Sequence, residues 1–181
     1  MRSLTSVALL VVASACSQYS SSGAAPNTSM NMPPGTVMAS LRDANGNDVG
    51  VLTISETASG LTTAGTLHGL TPGVHGIHIH TVGRCEPPFQ TAGGHWNPTA
   101  RQHGFQNPAG PHAGDMQNIT VASDGTASVN VTTPLGTLRG ANALLDADGA
   151  SVVVHAAADD YRTDPSGNSG ARVACGVVQV M

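Results

Sequence analysis

His78 and His80 stand two residues apart, and His95, His103 and His112 follow in a stretch rich in glycine and proline. Asp115 comes three residues after the last of these, and His155 closes the apolar run Val152-Val153-Val154. Residues i and i+2 of a strand project from one face, so His78 and His80 can address a single ion. Imidazole suits copper and zinc, and a carboxylate added to imidazoles suits zinc. A lone H-x-H is more often an ordinary surface or core pair. Six ligand-type histidines and an aspartate, in a chain with only 10% charged residues, read instead as a two-metal site.

Such ligands need rigid elements to aim them. The chain has 181 residues, 3% aromatics and 22 glycines, a length for one domain with a real core. Val, Thr, Ala and Gly dominate, in short runs broken by Gly, Asn and Asp, which favours many short strands over helices. Alternation and turn signals predict strands at 36–42, 49–56, 61–70, 76–81, 117–122, 126–133, 142–145, 151–156 and 172–180. Eight or nine short strands fit an antiparallel sandwich or flattened barrel. Residues 83–114 and 157–170 lack any sustained period, and loops that long in a compact domain are usually functional. The chain has no lysine, its net charge is −4 and it has no basic run, so a nucleic-acid partner is not expected.

The motifs then resemble a family. G-V-H-G-I-H-I-H-T-V-G-R-C (73–85) resembles the copper-binding strand of copper/zinc superoxide dismutases. G-G-H-W-N-P (93–98), R-Q-H-G (101–104) and P-H-A-G-D (111–115) resemble the zinc loop, in order. V-V-V-H-A-A-A-D-D (152–160) and G-N-S-G-A-R-V-A-C-G-V (167–177) resemble the C-terminal third. The likeness spans roughly residues 35–181 and implies an all-β, eight-stranded antiparallel Greek-key flattened barrel or sandwich with two long functional loops.

Carried over position by position, the resemblance implies one copper and one zinc ion per subunit. Copper falls to His78, His80, His95 and His155, and zinc to His95, His103, His112 and Asp115, with His95 shared as an imidazolate. Asp159 looks like the carboxylate linking His78 to His103, a partner that fixes tautomer and ring direction. Arg172 looks like the guanidinium at the channel mouth, and with His95 it is the implied catalytic pair. Cys85 and Cys175 look like the intrasubunit disulfide. The implied reaction is dismutation of superoxide to dioxygen and hydrogen peroxide, a protection against external superoxide. Two rivals are a metal-binding module without catalysis and a copper-only enzyme. The first usually lacks a copper ligand or the arginine, the second the zinc ligands, and here both sets are complete.

The N-terminus reads as an export signal at 1–15: Arg2, then the apolar run 7–13, too short to span a membrane. Ala13-Ser14-Ala15 before Cys16 allows ordinary cleavage or a bacterial lipobox that would lipidate Cys16. The left-over third cysteine favours the lipobox. A flexible tether at 16–34 and a domain at 35–181 follow. The expected location is the periplasm or cell envelope, with membrane anchoring through Cys16. A homodimer stays open, because the segment 84–94 is spaced as in bacterial members and eukaryotic contact geometry does not transfer. The short loop 157–171 lacks lysine and glutamate, so anion steering is expected from Arg162 and Arg172 or elsewhere. His75 is expected to make a structural hydrogen bond, His68 to be exposed, Trp96 to pack the loop, and Asp160 to be a solvated neighbour of Asp159.

Overall fold

The structure is a computed structural model that describes residues 35–141 and 143–180. The expected leader, tether and Cys16 lie outside the described residues. The described chain is all-β, with strands β1 (Thr36–Asp43), β2 (Asp48–Thr57), β3 (Gly60–Leu67), β4 (Gly73–His75), β5 (Ile77–His80), β6 (Ile119–Val121), β7 (Ala127–Thr133), β8 (Ser151–His155) and β9 (Arg172–Gln179). Seven of these form one curled antiparallel sheet in the order β5-β8-β9-β1-β2-β3-β7, and β4 and β6 form a two-stranded ribbon.

One stretch feeds both sheets. Residues 73–75 pair with β6 and residues 77–80 with β8, the switch falling at Gly76. The sequence predicts no strand between residues 70 and 76, so β4 is an addition of the structure. The expected strand at 142–145 does not form: among the described residues Ala143 makes only an isolated bridge to Thr137. Leu144 and Leu145 donate their N–H groups to Thr137 and Leu138, so this segment folds against its own upstream turn and joins no sheet. Residues 83–114 hold no strand and a single 3-10 turn, Gln90–Ala92.

Alternation separates core from site. Ile77 and Ile79 of β5 sit opposite Val154 and Val152 of β8, and all four are in the main core with Leu41, Leu52, Ile54 and Leu61. With a period of two, the remaining residues of these strands must face the other way. His78 pairs with Val153 and His80 with Ser151, and Val153 packs in a second cluster with Phe89, Ala92 and Cys175. His155 lies on this same side and pairs with Arg172 across a register shift. The pattern that buries the isoleucines and valines therefore gathers three histidines and an arginine on the opposite face.

Candidate metal centre

The loops complete what the strands begin. Residue 95 bridges to His80 and residue 115 to His78, which sets the long loop along the free edge of β5. The loop is pinned at its start by the disulfide Cys85–Cys175, with Cα atoms 5.6 Å apart. Trp96 donates its N–H to Ile79 O and accepts from Gly114; its ring is buried, as expected of loop packing.

The structure brings the six histidines and Asp115 together. All seven are buried, and the rings of His78 and His95 stack with centroids 3.9 Å apart. Ring nitrogens of His78, His80, His95 and His155 lie within 4.8 Å of one another. Their outer nitrogens are spoken for. His78 Nε2 donates to Asp159 Oδ2 at 2.7 Å, His80 Nδ1 to Gly93 O at 3.0 Å and His155 Nδ1 to Gly170 O at 3.3 Å. What remains points inward: His78 Nδ1 and His95 Nε2 are buried with no hydrogen-bond partner, while His80 Nε2 and His155 Nε2 are 3.4 Å apart.

A second group gathers around one carboxylate oxygen. Asp115 Oδ1 lies 2.9 Å from His95 Nδ1, 3.0 Å from His103 Nδ1 and 3.3 Å from His112 Nδ1. Four ligand atoms about 2.0 Å from a tetrahedral zinc would stand about 3.3 Å apart, so the spacing fits. Asp115 Oδ2 is fixed separately, by the N–H groups of Gly104 and His112. Proximity alone would also group His78 with His95, His103 and Asp115. Distance favours His112 as fourth member: its buried Nδ1 lies 3.3 Å from Asp115 Oδ1, whereas His78 also gathers with His80 and His155 in the first group.

The carboxylates organise the charge. Asp159 spans the two groups, taking His78 Nε2 on one oxygen and His103 Nε2 on the other, at 2.7 and 2.9 Å. Asn118, which in the sequence only starts an N-x-S/T pattern, clamps the Asp159 main chain from both sides at 2.9 Å. Burial disfavours the His103 cation, but Asp115 and Asp159 at its two nitrogens outweigh this and push it up to about 9. Burial likewise opposes ionisation of Asp115 and Asp159, yet hydrogen bonds from the histidines hold both well below the usual carboxylate range. For His78 and His155 burial prevails and takes them down to about 3 and about 4. It lowers His80 and His95 as well, so these four rings rest as neutral imidazoles, the form that binds a cation.

Two cations suit this arrangement. Three buried ring nitrogens without partners would each cost about 1–3 kcal/mol if left so, and nothing among the described residues answers them. A cavity of about 510 Å³ opens onto the group, lined by His95, His112, His155, Arg101, Arg172 and Asp164 among others. Arg172 is held there by the carbonyls of Phe89 and Gly93, each 2.6 Å from its guanidinium. Arg162 donates to Gln106 at 2.7 Å and is not among the residues lining this cavity; Arg101, which donates to Gly110 O, lines it together with Arg172. No feature of the sequence set Arg101 apart.

The remaining expectations resolve simply. His75 has carbonyls at both ring nitrogens, His155 O at 2.7 Å and Thr71 O at 2.8 Å. His68 is half exposed and pairs with Asp48 at 3.0 Å. Asp160 is more than a solvated neighbour: it accepts the N–H groups of Arg162 and Thr163, the Thr163 hydroxyl and the Asn168 amide.

Comparison with known proteins places this geometry. The family model for copper/zinc superoxide dismutase matches residues 49–178. A curated copper/zinc superoxide dismutase of Caulobacter vibrioides is 45% identical over 146 residues, covering 78% of this chain and 84% of the relative. Another, of Aquifex aeolicus, is 42% identical over 145 residues, covering 78% and 85%. Among solved structures, a superoxide dismutase-like protein from Bacillus subtilis superposes with a TM-score of 0.75 at 40% identity, covering 78% of this chain and 97% of that one. The copper/zinc superoxide dismutase of Brucella abortus gives 0.64 at 30% identity, covering 80% and 99%.

Proposed function

Since the chain belongs to the copper/zinc superoxide dismutase family, we propose that it is an exported enzyme that converts two superoxide anions and two protons into dioxygen and hydrogen peroxide. His78, His80, His95 and His155 would hold copper. His95, His103, His112 and Asp115 would hold zinc, with the His95 imidazolate shared between the ions. The observation that carries this reading is the pair of opposed faces of His95: Nδ1 lies 2.9 Å from Asp115 Oδ1, and the buried, unpartnered Nε2 belongs with the other group. Copper supplies one-electron redox change, and zinc, which has none, supplies fixed charge.

The chain's own groups do the rest. Arg172, pinned by two carbonyls, presents a guanidinium to the cavity that attracts a small anion and offers it hydrogen bonds. His95 Nε2 is the atom at which a proton would be held and passed to the departing peroxide. Gly93 O accepts from both Arg172 and His80, so the anion-binding group and one ring of the site share a single anchor. Asp159 accepts from Nε2 of both His78 and His103, so each ring would turn its Nδ1 to its metal.

Export is supported by the apolar run with Ala13-Ser14-Ala15-Cys16 and by the disulfide, a bond at home in oxidising compartments. Of the two ways past Cys16, lipidation and membrane anchoring is the reading proposed. Fatty-acid labelling of the expressed chain, lost on Cys16→Ser, is the expected result; labelling absent from the parent would leave simple secretion. The central test is superoxide decay by the purified protein carrying copper and zinc, against the zinc-only form. Copper-dependent decay that His155→Ala abolishes while zinc stays bound is expected. No decay by the fully loaded protein would overturn the enzymatic reading in favour of metal binding alone.

A further inference from the structure

Asp164 belongs to neither ligand group, yet it touches both ends of the zinc side. Its Oδ1 accepts the main-chain N–H of His103 at 2.6 Å and stands 3.7 Å from Nε2 of His112. The second distance is too long for a direct hydrogen bond and suits a charge contact or a bridging water. The turn that carries Asp164 is stiff. Asp160 staples it through Arg162, Thr163 and Asn168, and Tyr161 donates its N–H to Asp159 Oδ1 at 2.6 Å. One short loop thus presents Asp159 to His78 and His103, and Asp164 to His103 and His112.

We propose that Asp164 is a positioning residue for zinc: it fixes the backbone of His103 and directs the His112 ring so that Nδ1 faces Asp115. A carboxylate hydrogen-bonded to a ligating histidine typically contributes about 10–100-fold in metal affinity; Asp164 bonds the His103 main chain directly and reaches the His112 ring only at 3.7 Å, so the lower end of that range is expected. The inference rests on the zinc assignment made above. Asp164 makes its hydrogen bond and its ion-pair contact to His103 and His112 and to none of His78, His80 or His155, so its loss should fall first on zinc, whereas a general loosening of the fold would release both metals.

The test follows zinc and copper separately as each passes from the loaded full-length protein to a chromophoric chelator. Asp164→Ala is expected to weaken zinc retention by about 10-fold or more with copper retention unchanged. Asp164→Asn keeps an acceptor for the His103 N–H but loses the charge, and is expected to weaken zinc by an equal or smaller factor. Zinc held as tightly as in the parent by both variants, or zinc and copper lost in parallel, would overturn the proposal. If the alanine variant does not fold, the asparagine variant decides alone, unchanged zinc counting against. A parent that binds no zinc, or His112→Ala that holds it undiminished, would instead remove the zinc assignment itself.

Discussion

Replacing Gly167 with alanine should injure the site without altering any ligand. Gly167 has φ +62, and a Cβ there would fall 2.6 Å from His103 Nε2 and closer still to the Asp159 carboxylate. Two costs follow. A left-handed alanine costs about 1–2 kcal/mol. Restoring an ordinary contact of about 3.5 Å requires His103 Nε2 to retreat by roughly 1 Å and the nearer Asp159 oxygen by roughly 1.6 Å. Asp159 is 3% exposed and cannot move without stretching its bonds to His103, His78 or the Tyr161 N–H. Losing one such charge-assisted bond costs about 1.5–3 kcal/mol, for a total of about 3–5 kcal/mol. Gly149 supplies the control, since its φ is +70 but its Cβ would meet nothing nearer than 3.5 Å. Gly149→Ala therefore carries only the backbone cost. Denaturant unfolding of both variants and the parent, metal-free, measures the difference, expected at about 2–3 kcal/mol. Equal destabilisation of the two variants would refute the argument that Gly167 is glycine because the Asp159 bridge occupies its side-chain space.

Three further predictions rest on other features. The chelator-stripped protein should be most stable near pH 6.5. Unfolding lets His78 and His155 take protons near 6.5, which the fold resists down to about 3 and about 4, so stability falls as pH drops below 6.5. His103, raised to about 9, stabilises fully below 6.5 and loses that contribution as pH climbs toward 9, at about 1.4 kcal/mol per pH unit for each such group. Unfolding midpoints that rise steadily across pH 4.5–9 would contradict this. Thr63→Val should stabilise by about 1 kcal/mol, because the Thr63 hydroxyl is buried without a partner and an apolar isostere removes that cost; a lower melting temperature would count against it. Replacing Cys85 and Cys175 together with alanine opens a link across 90 residues and should cost about 4–5 kcal/mol by loop entropy. A loss below about 1 kcal/mol would show that the unfolded chain gains little freedom.

Much of this was legible in the sequence because two regular signals overlap. Ile77-His78-Ile79-His80 shows a period of two together with metal-ligand chemistry, so strand, face and function can be read from four residues. Val152-Val153-Val154-His155 places a ligand at the end of a continuous apolar run, which marks a buried strand but not its faces. The strand expected at 142–145 failed because a short apolar run looks the same whether it joins a sheet or folds on a local turn. β4 escapes because Gly73 follows Pro72, a pair that signals a turn, where the chain already pairs with β6. Asp164, Arg101 and Asn118 could not be singled out. Their roles depend on where irregular loops come to rest, and loop residues carry no period from which a direction can be inferred. Arg162 and Arg101 are alike in sequence terms; only the folded loops show which one reaches the cavity.

The two faces of the β5–β8 pair carry a consequence for descent. The main core sits on one side of these strands, and the ligands share the other with the small cluster around Val153, so main core and ligands are under largely separate constraint. Changing His78, His80 or His155 removes no side chain from beneath the sheet, and repacking Ile77, Ile79, Val152 or Val154 moves no ligand off it. A lineage could discard its metals one residue at a time and keep the barrel standing, or redesign its interior while the catalyst persists. Kinship in shape is therefore the slower character to change in such a scaffold, and activity the faster.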